Sequence, residues 1–367
     1  MGPSDVAPPK NKMLISLQGL RGAAALLVVI DHSLATLAEK AGQRVDLSVA
    51  FFIGGLGVCV FFTISGFVMV VNHHQDFQRQ KVVSFVLKRV GRVIPLYYIT
   101  TCIYALKLTL QGSPPDLQSL FLSVLFIPHP SSGSEYGQPV YGLGWTLQYE
   151  MFFYAIFALS LFLSLGKGIT ITILTFTSLV VANHLGILNN FAEINYLSQP
   201  IVLYFVAGVV LGFLKVGNWR LLRARHLSPT SLFTFATGLA VCAIWLFSTT
   251  KSNAYAPIFC ISACAICMLT SERPSTGLTA SLMMLIGNAT YSIYLTHSFV
   301  VGPAGRLAAK FPGKMSAVLF CALTVLICSA LGVFVHRFVE KPLLHAWSRA
   351  TAPLLKRIYG RRAEIPA

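Results

Sequence analysis

The strongest constraint on this chain is a succession of long apolar stretches. They run over roughly residues 15–38, 51–71, 91–110, 145–165, 168–188, 198–214, 229–248, 254–270, 282–301 and 315–336. Most approach the ~20 residues that cross a bilayer as a helix. Inside hydrocarbon the backbone has no water to bond, so such stretches must be helical. Composition agrees: 11% of the 367 residues are charged and 55% are apolar, whereas a soluble domain carries about 25% charged residues. A soluble enzyme, a disordered chain and a disulfide scaffold are excluded. The expected fold is all-α, a polytopic membrane protein of about ten transmembrane helices. A leader (1–12), a membrane domain (13–345) and a basic cytoplasmic tail (346–367) are the expected divisions. The apolar stretch 116–127 is too short to cross and predicts a short helix at one face.

Basic residues orient the spans. The net charge of +16 reads as membrane topology and contact with anionic lipid, not as nucleic-acid binding. With the N-terminus inside, 20 of the 28 Lys and Arg residues fall on the inner side and seven on the outer side, leaving Arg21 within the first span. Both termini are therefore expected in the cytoplasm. Arg21 and the Asp31-His32 pair also argue against a cleaved signal peptide, whose apolar core would not hold them. The eight cysteines lie in apolar segments and predict no disulfide. Cys260, Cys264 and Cys267 read as packing residues, because no His or acid accompanies them. The His73-His74 pair lacks a second ligand set, so no metal is expected.

Charge within a span is expensive and marks function first. Arg21 and His32 are 11 residues apart, about 16.5 Å and three turns plus ~20°, hence on one helix face. An imidazole there is a candidate base, since its ordinary pKa is about 6.5. Lys88, Arg89 and Arg92 crowd the inner mouth of the third span; guanidinium forks suit phosphates, and plain membrane anchoring is the alternative. Glu150 follows Trp145 and Tyr149 into the fourth span, where it would orient a histidine or form an ion pair. Tyr291, Tyr294 and His297 make the ninth span unusually polar, and hydrogen bonds between helices would also explain them. Reckoned from the span ends, His32, Glu150 and His297 lie at similar depth in an outer cavity. Ser65 lacks the Gly-x-Ser-x-Gly setting of an esterase nucleophile. A proton-linked transporter and a transmembrane group transferase both remain open at this point.

These residues resemble the membrane acyltransferase-3 family, whose first span carries an Arg and, after ten residues, a His. Here Arg21 and His32 match. Phe61-Phe62-Thr63-Ile64-Ser65-Gly66-Phe67, Arg89-x-x-Arg92 with Pro95, and Trp145-Thr146-Leu147 with Glu150 look similar to it as well. So do Tyr291-Ser292-Ile293-Tyr294-Leu295-x-His297 and Glu340-Lys341-Pro342. The likeness covers about residues 13–345, and the exopolysaccharide branch, of succinoglycan type, looks nearest. Many relatives carry a further hydrolase-like domain; the short stretch after Pro342 implies the stand-alone form.

The resemblance implies transfer of an acyl group, acetyl first of all, from cytosolic acyl-coenzyme A to a sugar hydroxyl. The acceptor would be an extracytoplasmic or lipid-linked glycan, the location the bacterial inner membrane, and the donor acetyl-coenzyme A without any metal. Arg89, Arg92 and Lys88 would hold the donor phosphates, and Arg21 the thioester end. His32 would act as general base with Glu150 beside it, and Trp145, Tyr149, Tyr291, Tyr294 and His297 would bind the acceptor. Direct transfer is expected over a transient acyl-His32, since no Cys or Ser sits in an activated setting. Acylation of a cytosolic small molecule such as a macrolide is one alternative. A proton-coupled transporter is the other, although the internal repeat expected of many transporters is not visible.

Overall fold

A computed structural model of the chain describes residues 15–77, 81–130, 137–218, 228–253, 255–269, 277–311 and 316–360. The predicted leader and the basic residues Lys10, Lys12, Arg79, Arg220, Arg223, Arg225, Arg273, Lys314, Arg361 and Arg362 lie outside them. Among the described residues the regular structure is helical throughout. The order is α1 (Ile15–Ala41), α2 (Leu47–His73), α3 (Val82–Leu110), α4 (Leu117–Val124), α5 (Trp145–Ser160), α6 (Leu165–His184) and α7 (Ala192–Leu197). There follow α8 (Leu203–Val216), α9 (Pro229–Thr250), α10 (Tyr255–Leu269), α11 (Leu278–Thr296), α12 (Ser298–Ala308), α13 (Ala317–Val335) and α14 (Lys341–Tyr359). Seven described helices are long and apolar enough to cross a membrane, counting 317–359 as one. The other three apolar segments are also helical but shorter: α5, α8 and α10 have 16, 14 and 15 residues.

Local chemistry sets the helix starts. Asp46 caps α2 by accepting from the Ser48 and Val49 amides at 3.0 and 3.4 Å. Ser228 caps α9 ahead of Pro229, and Ser316 caps α13. Each cap satisfies an amide that the first helical turn leaves unbonded. The predicted short helix at 116–127 is α4, eight residues capped by Asp116.

Close approach between helices is made at small residues. Gly66 of α2 lies against the Phe205 carbonyl of α8, and Gly208 of α8 against the Thr63 carbonyl of α2. Neither crossing leaves room for a Cβ, so this pair forms a backbone-to-backbone seam. Cys260, Cys264 and Cys267 are buried in the apolar cluster joining α1, α2, α9 and α10, and act there as small packing groups.

Two departures from the expected layout shape the site. The ninth apolar segment is interrupted at His297, between α11 and α12. The last span does not stop near residue 336. A π-helical turn, His336–Glu340, carries it into α14, just ahead of Pro342, which has no amide hydrogen to give the helix. The α14 helix lies on α3: Trp347 Nε1 donates to the Leu87 carbonyl at 2.8 Å, its ring filling the space over Gly91.

Candidate active site

One cavity of about 460 Å³ lies between α1, α2, α3, α5, α11 and the π turn. Its basic wall holds Arg21, Arg89, Arg92 and Lys341, and Glu150 is the carboxylate that lines it. Its deep end is closed by Phe61, Thr146 and Tyr294. With Arg92 balanced by Glu340, three cations against one lining carboxylate still make it a place for an anion with an apolar extension.

The cations differ in how they are held. Arg92 Nη1 donates to Glu340 Oε1 at 2.6 Å and its guanidinium lies 5.7 Å over the Tyr291 ring. Glu340 also accepts from Ser292 Oγ at 2.6 Å and pairs with His336 Nδ1 at 2.8 Å. Glu340 and His336 are four residues apart, a spacing that sets both side chains on one helix face. Arg89 forms no ion pair with a carboxylate among the described residues. It lies over the Phe85 and Tyr154 rings and donates to His73 Nε2 at 3.4 Å, while its Nε is buried with no hydrogen-bond partner. His73 is fixed in turn by Asp76, 2.8 Å from its Nδ1, and Asp76 by Lys81 at 3.4 Å. Burial would raise the Asp76 carboxyl, but its contacts with His73 and Lys81 prevail and hold it below the ordinary carboxylate value. A braced guanidinium with no carboxylate partner among the described residues fits a phosphate group. Arg21 donates to Gln18 Oε1 at 3.4 Å, and Gln18 to Asn288 Oδ1 at 3.1 Å.

His32 and His297 form a pair beyond the deep end. Their facing nitrogens, His32 Nδ1 and His297 Nε2, are 2.6 Å apart, and the rings stack at 4.9 Å with 10° between planes. His297 Nδ1 lies 2.6 Å from the Tyr294 carbonyl. His297 has helical backbone, donating to the Ile293 carbonyl and accepting from the Val301 amide, and Tyr294, which closes the cavity, has its ring centroid 6.0 Å from the His297 ring.

Glu150 is not beside this pair. It accepts from Ser65 Oγ at 3.3 Å and from the Tyr154 hydroxyl, among the arginines. The equal depth expected from span ends fails because the chain enters the bundle before α5 begins. Tyr141 is already buried at the level of His297, its hydroxyl bonding the Leu295 carbonyl and Ser298 Oγ. Five helical residues from Trp145 then carry Glu150 about 7.5 Å deeper. Tyr291 and Tyr294 line the cavity, anchored to the Val93 carbonyl at 2.6 Å and the Leu143 carbonyl at 2.8 Å. Trp145 and Tyr149 do not line it; they pack edge to face, and the Tyr149 hydroxyl bonds the Tyr196 carbonyl. Lys88 is exposed outside it. The sequence reading missed Lys341, Gln18, Asn288, Tyr154 and the Asp76–His73 brace as site residues. For His73 the signal was its place three residues before Asp76, opposite a helix rich in arginine.

Comparison with known proteins completes this picture. A family model described as an acyltransferase domain, acyltransferase-3, matches residues 14–333. The chain is 32% identical over 337 residues to the exopolysaccharide production protein ExoZ of Rhizobium meliloti (strain 1021), covering 89% of this chain and 98% of that protein. It is 25% identical over 400 residues to the acyltransferase MdmB of Streptomyces mycarofaciens, covering 94% of this chain and 96% of that protein. No solved structure matches. The chain therefore belongs to the acyltransferase-3 family and is a membrane acyltransferase.

Proposed function

We propose that the enzyme moves an acetyl group from cytosolic acetyl-coenzyme A to a hydroxyl of an extracytoplasmic or lipid-linked glycan. The observation that carries this reading is a cavity lined both by Arg89, Arg92 and Lys341 and by Tyr294, which lies next to His297. Similarity to an exopolysaccharide production protein supports a glycan acceptor. The inner excess of Lys and Arg supports ten spans with both termini in the cytoplasm of a bacterial inner membrane.

Arg89 takes the donor phosphates with its guanidinium, which no described carboxylate neutralises, and Lys341 adds charge at the mouth. Arg92, already neutralised by Glu340, shapes the wall. Arg21 faces the acyl-thioester end. His32 Nε2 removes the acceptor's hydroxyl proton while that oxygen bonds to the thioester carbonyl carbon. The carbon–sulfur bond then breaks, and the leaving sulfur takes the proton from His32, so the base is regenerated. No covalent enzyme intermediate is needed.

The test is coenzyme A release by purified protein given acetyl-coenzyme A and a panel of glycans. His32→Ala should abolish acceptor-stimulated release while still binding the donor. Arg89→Ala should raise the donor KM about tenfold or more. A fully active His32→Ala would overturn the base, and an unchanged donor KM in Arg89→Ala would overturn the phosphate site.

A further inference from the structure

Resting on the reading of His32 as base, we infer that His297 is a positioning residue: it fixes the tautomer of His32 and supports the proton that His32 takes up. Hydrogen-bond polarity gives the argument. The Tyr294 carbonyl can only accept, so the His297 Nδ1 at 2.6 Å from it is the protonated nitrogen. A neutral His297 then has a bare Nε2. That atom lies 2.6 Å from His32 Nδ1, too close for two lone pairs to face each other, so His32 Nδ1 carries hydrogen and donates. The nitrogen left bare is His32 Nε2, which has no hydrogen-bond partner among the described residues.

His297 is held for this task. It is fully buried, at 0% exposure, and its backbone closes the end of α11 by donating to the Ile293 carbonyl. Other titratable groups near the pair come from four directions. Asp31 precedes His32 but packs its carboxyl against Gly54 of α2. Tyr294 lies on α11, Tyr141 in the segment before α5, and Cys328 on α13 with its sulfur 3.9 Å from the His297 carbonyl. Among the described residues no carboxylate bonds either imidazole. A neutral ring thus does what a carboxylate commonly does for a catalytic histidine. That arrangement suits a span, because the resting pair holds no net charge. When His32 Nε2 gains a proton, its Nδ1–H still donates to His297 Nε2. His297 passes the polarisation on to the Tyr294 carbonyl through Nδ1–H.

Two variants and one spectrum test this. Gln carries its amide near the place of Nε2, so His297→Gln can still accept from His32 Nδ1–H; His297→Leu cannot. His297→Leu should lower kcat about 10²–10⁴-fold with the acetyl-coenzyme A KM unchanged, and should displace the acidic limb of the pH–rate profile. His297→Gln should recover at least about tenfold of that loss. Equal kcat in the two variants, or a loss confined to KM, would overturn the role. His32→Ala run beside them separates the two claims. If it is inactive while His297→Leu is active, only the tautomer role fails; if it is active, the base assignment itself fails. Should His297→Leu not fold, 15N-histidine spectra of the wild type minus those of His32→Gln decide the matter. A resting His32 protonated at Nδ1 upholds the inference, and one protonated at Nε2 overturns it.

Discussion

Glu340 is the carboxylate that holds Arg92 in the cavity wall, and its removal has a calculable effect. Its side chain is 2% exposed and holds Arg92, whose side chain is 28% exposed, at 2.6 Å. Breaking a buried pair by deleting one partner costs about 3–5 kcal/mol, because the survivor is left charged and dry. The two deletions are therefore unequal. Arg92→Gln leaves Glu340 buried with only Ser292 and His336 as partners and should cost about 3 kcal/mol. Glu340→Gln strands Arg92, which water partly reaches, so the cost falls to about 1–2 kcal/mol. The amide retains the Ser292 contact and much of the shape. In the double variant neither charge is stranded, so its loss should be smaller than the sum of the singles by about 1.5 kcal/mol or more. Reversible unfolding of the four proteins in mixed detergent micelles, followed by tryptophan fluorescence, measures the cycle. Additivity within about 0.5 kcal/mol would show that the pair is not coupled and would refute the argument. Because Arg92 is balanced rather than free, Glu340→Gln should also leave the donor KM no higher than in the wild type.

Two further outcomes follow from other contacts. Asp76→Asn removes the charge that fixes His73 under Arg89, and should raise the donor KM roughly threefold to tenfold with kcat unchanged. The folded Asp76 carboxyl lies below its ordinary value. Its contribution is therefore complete above about pH 4 to 5 and is lost as pH falls through the depressed pKa; a donor KM insensitive to Asp76→Asn would exclude the brace. Gly208→Ala forces a methyl group against the Thr63 carbonyl and should cost about 1–3 kcal/mol in the same unfolding assay. Gly238→Ala, in open space on α9, should be neutral or stabilising by up to ~1 kcal/mol. Equal effects at the two glycines would contradict the close seam between α2 and α8.

Much of the architecture was legible in one dimension. Apolar run length marks the helices because a bilayer forbids other backbones, and each of the ten runs is helical over most of its length. The spacing of Arg21 and His32 fixes their shared face, since helical periodicity needs no partner to hold. That Arg89 and Arg92 of α3 share a neighbourhood was readable because their separation is a local property, and both line the cavity. What hydropathy cannot carry is the identity of neighbours. His32 and His297 are 265 positions apart, and their contact depends on the packing of α1 against α11, which the apolar pattern does not encode. Depth counted from span ends put Glu150 beside His32, but the buried approach through Tyr141 takes it down among the arginines. The continuation into α14, and with it the place of Glu340 beside Arg92, rests on one π turn. The Arg92 ion pair and the Ser292 hydrogen bond to Glu340 exist only once α3 and α11 have packed against that turn.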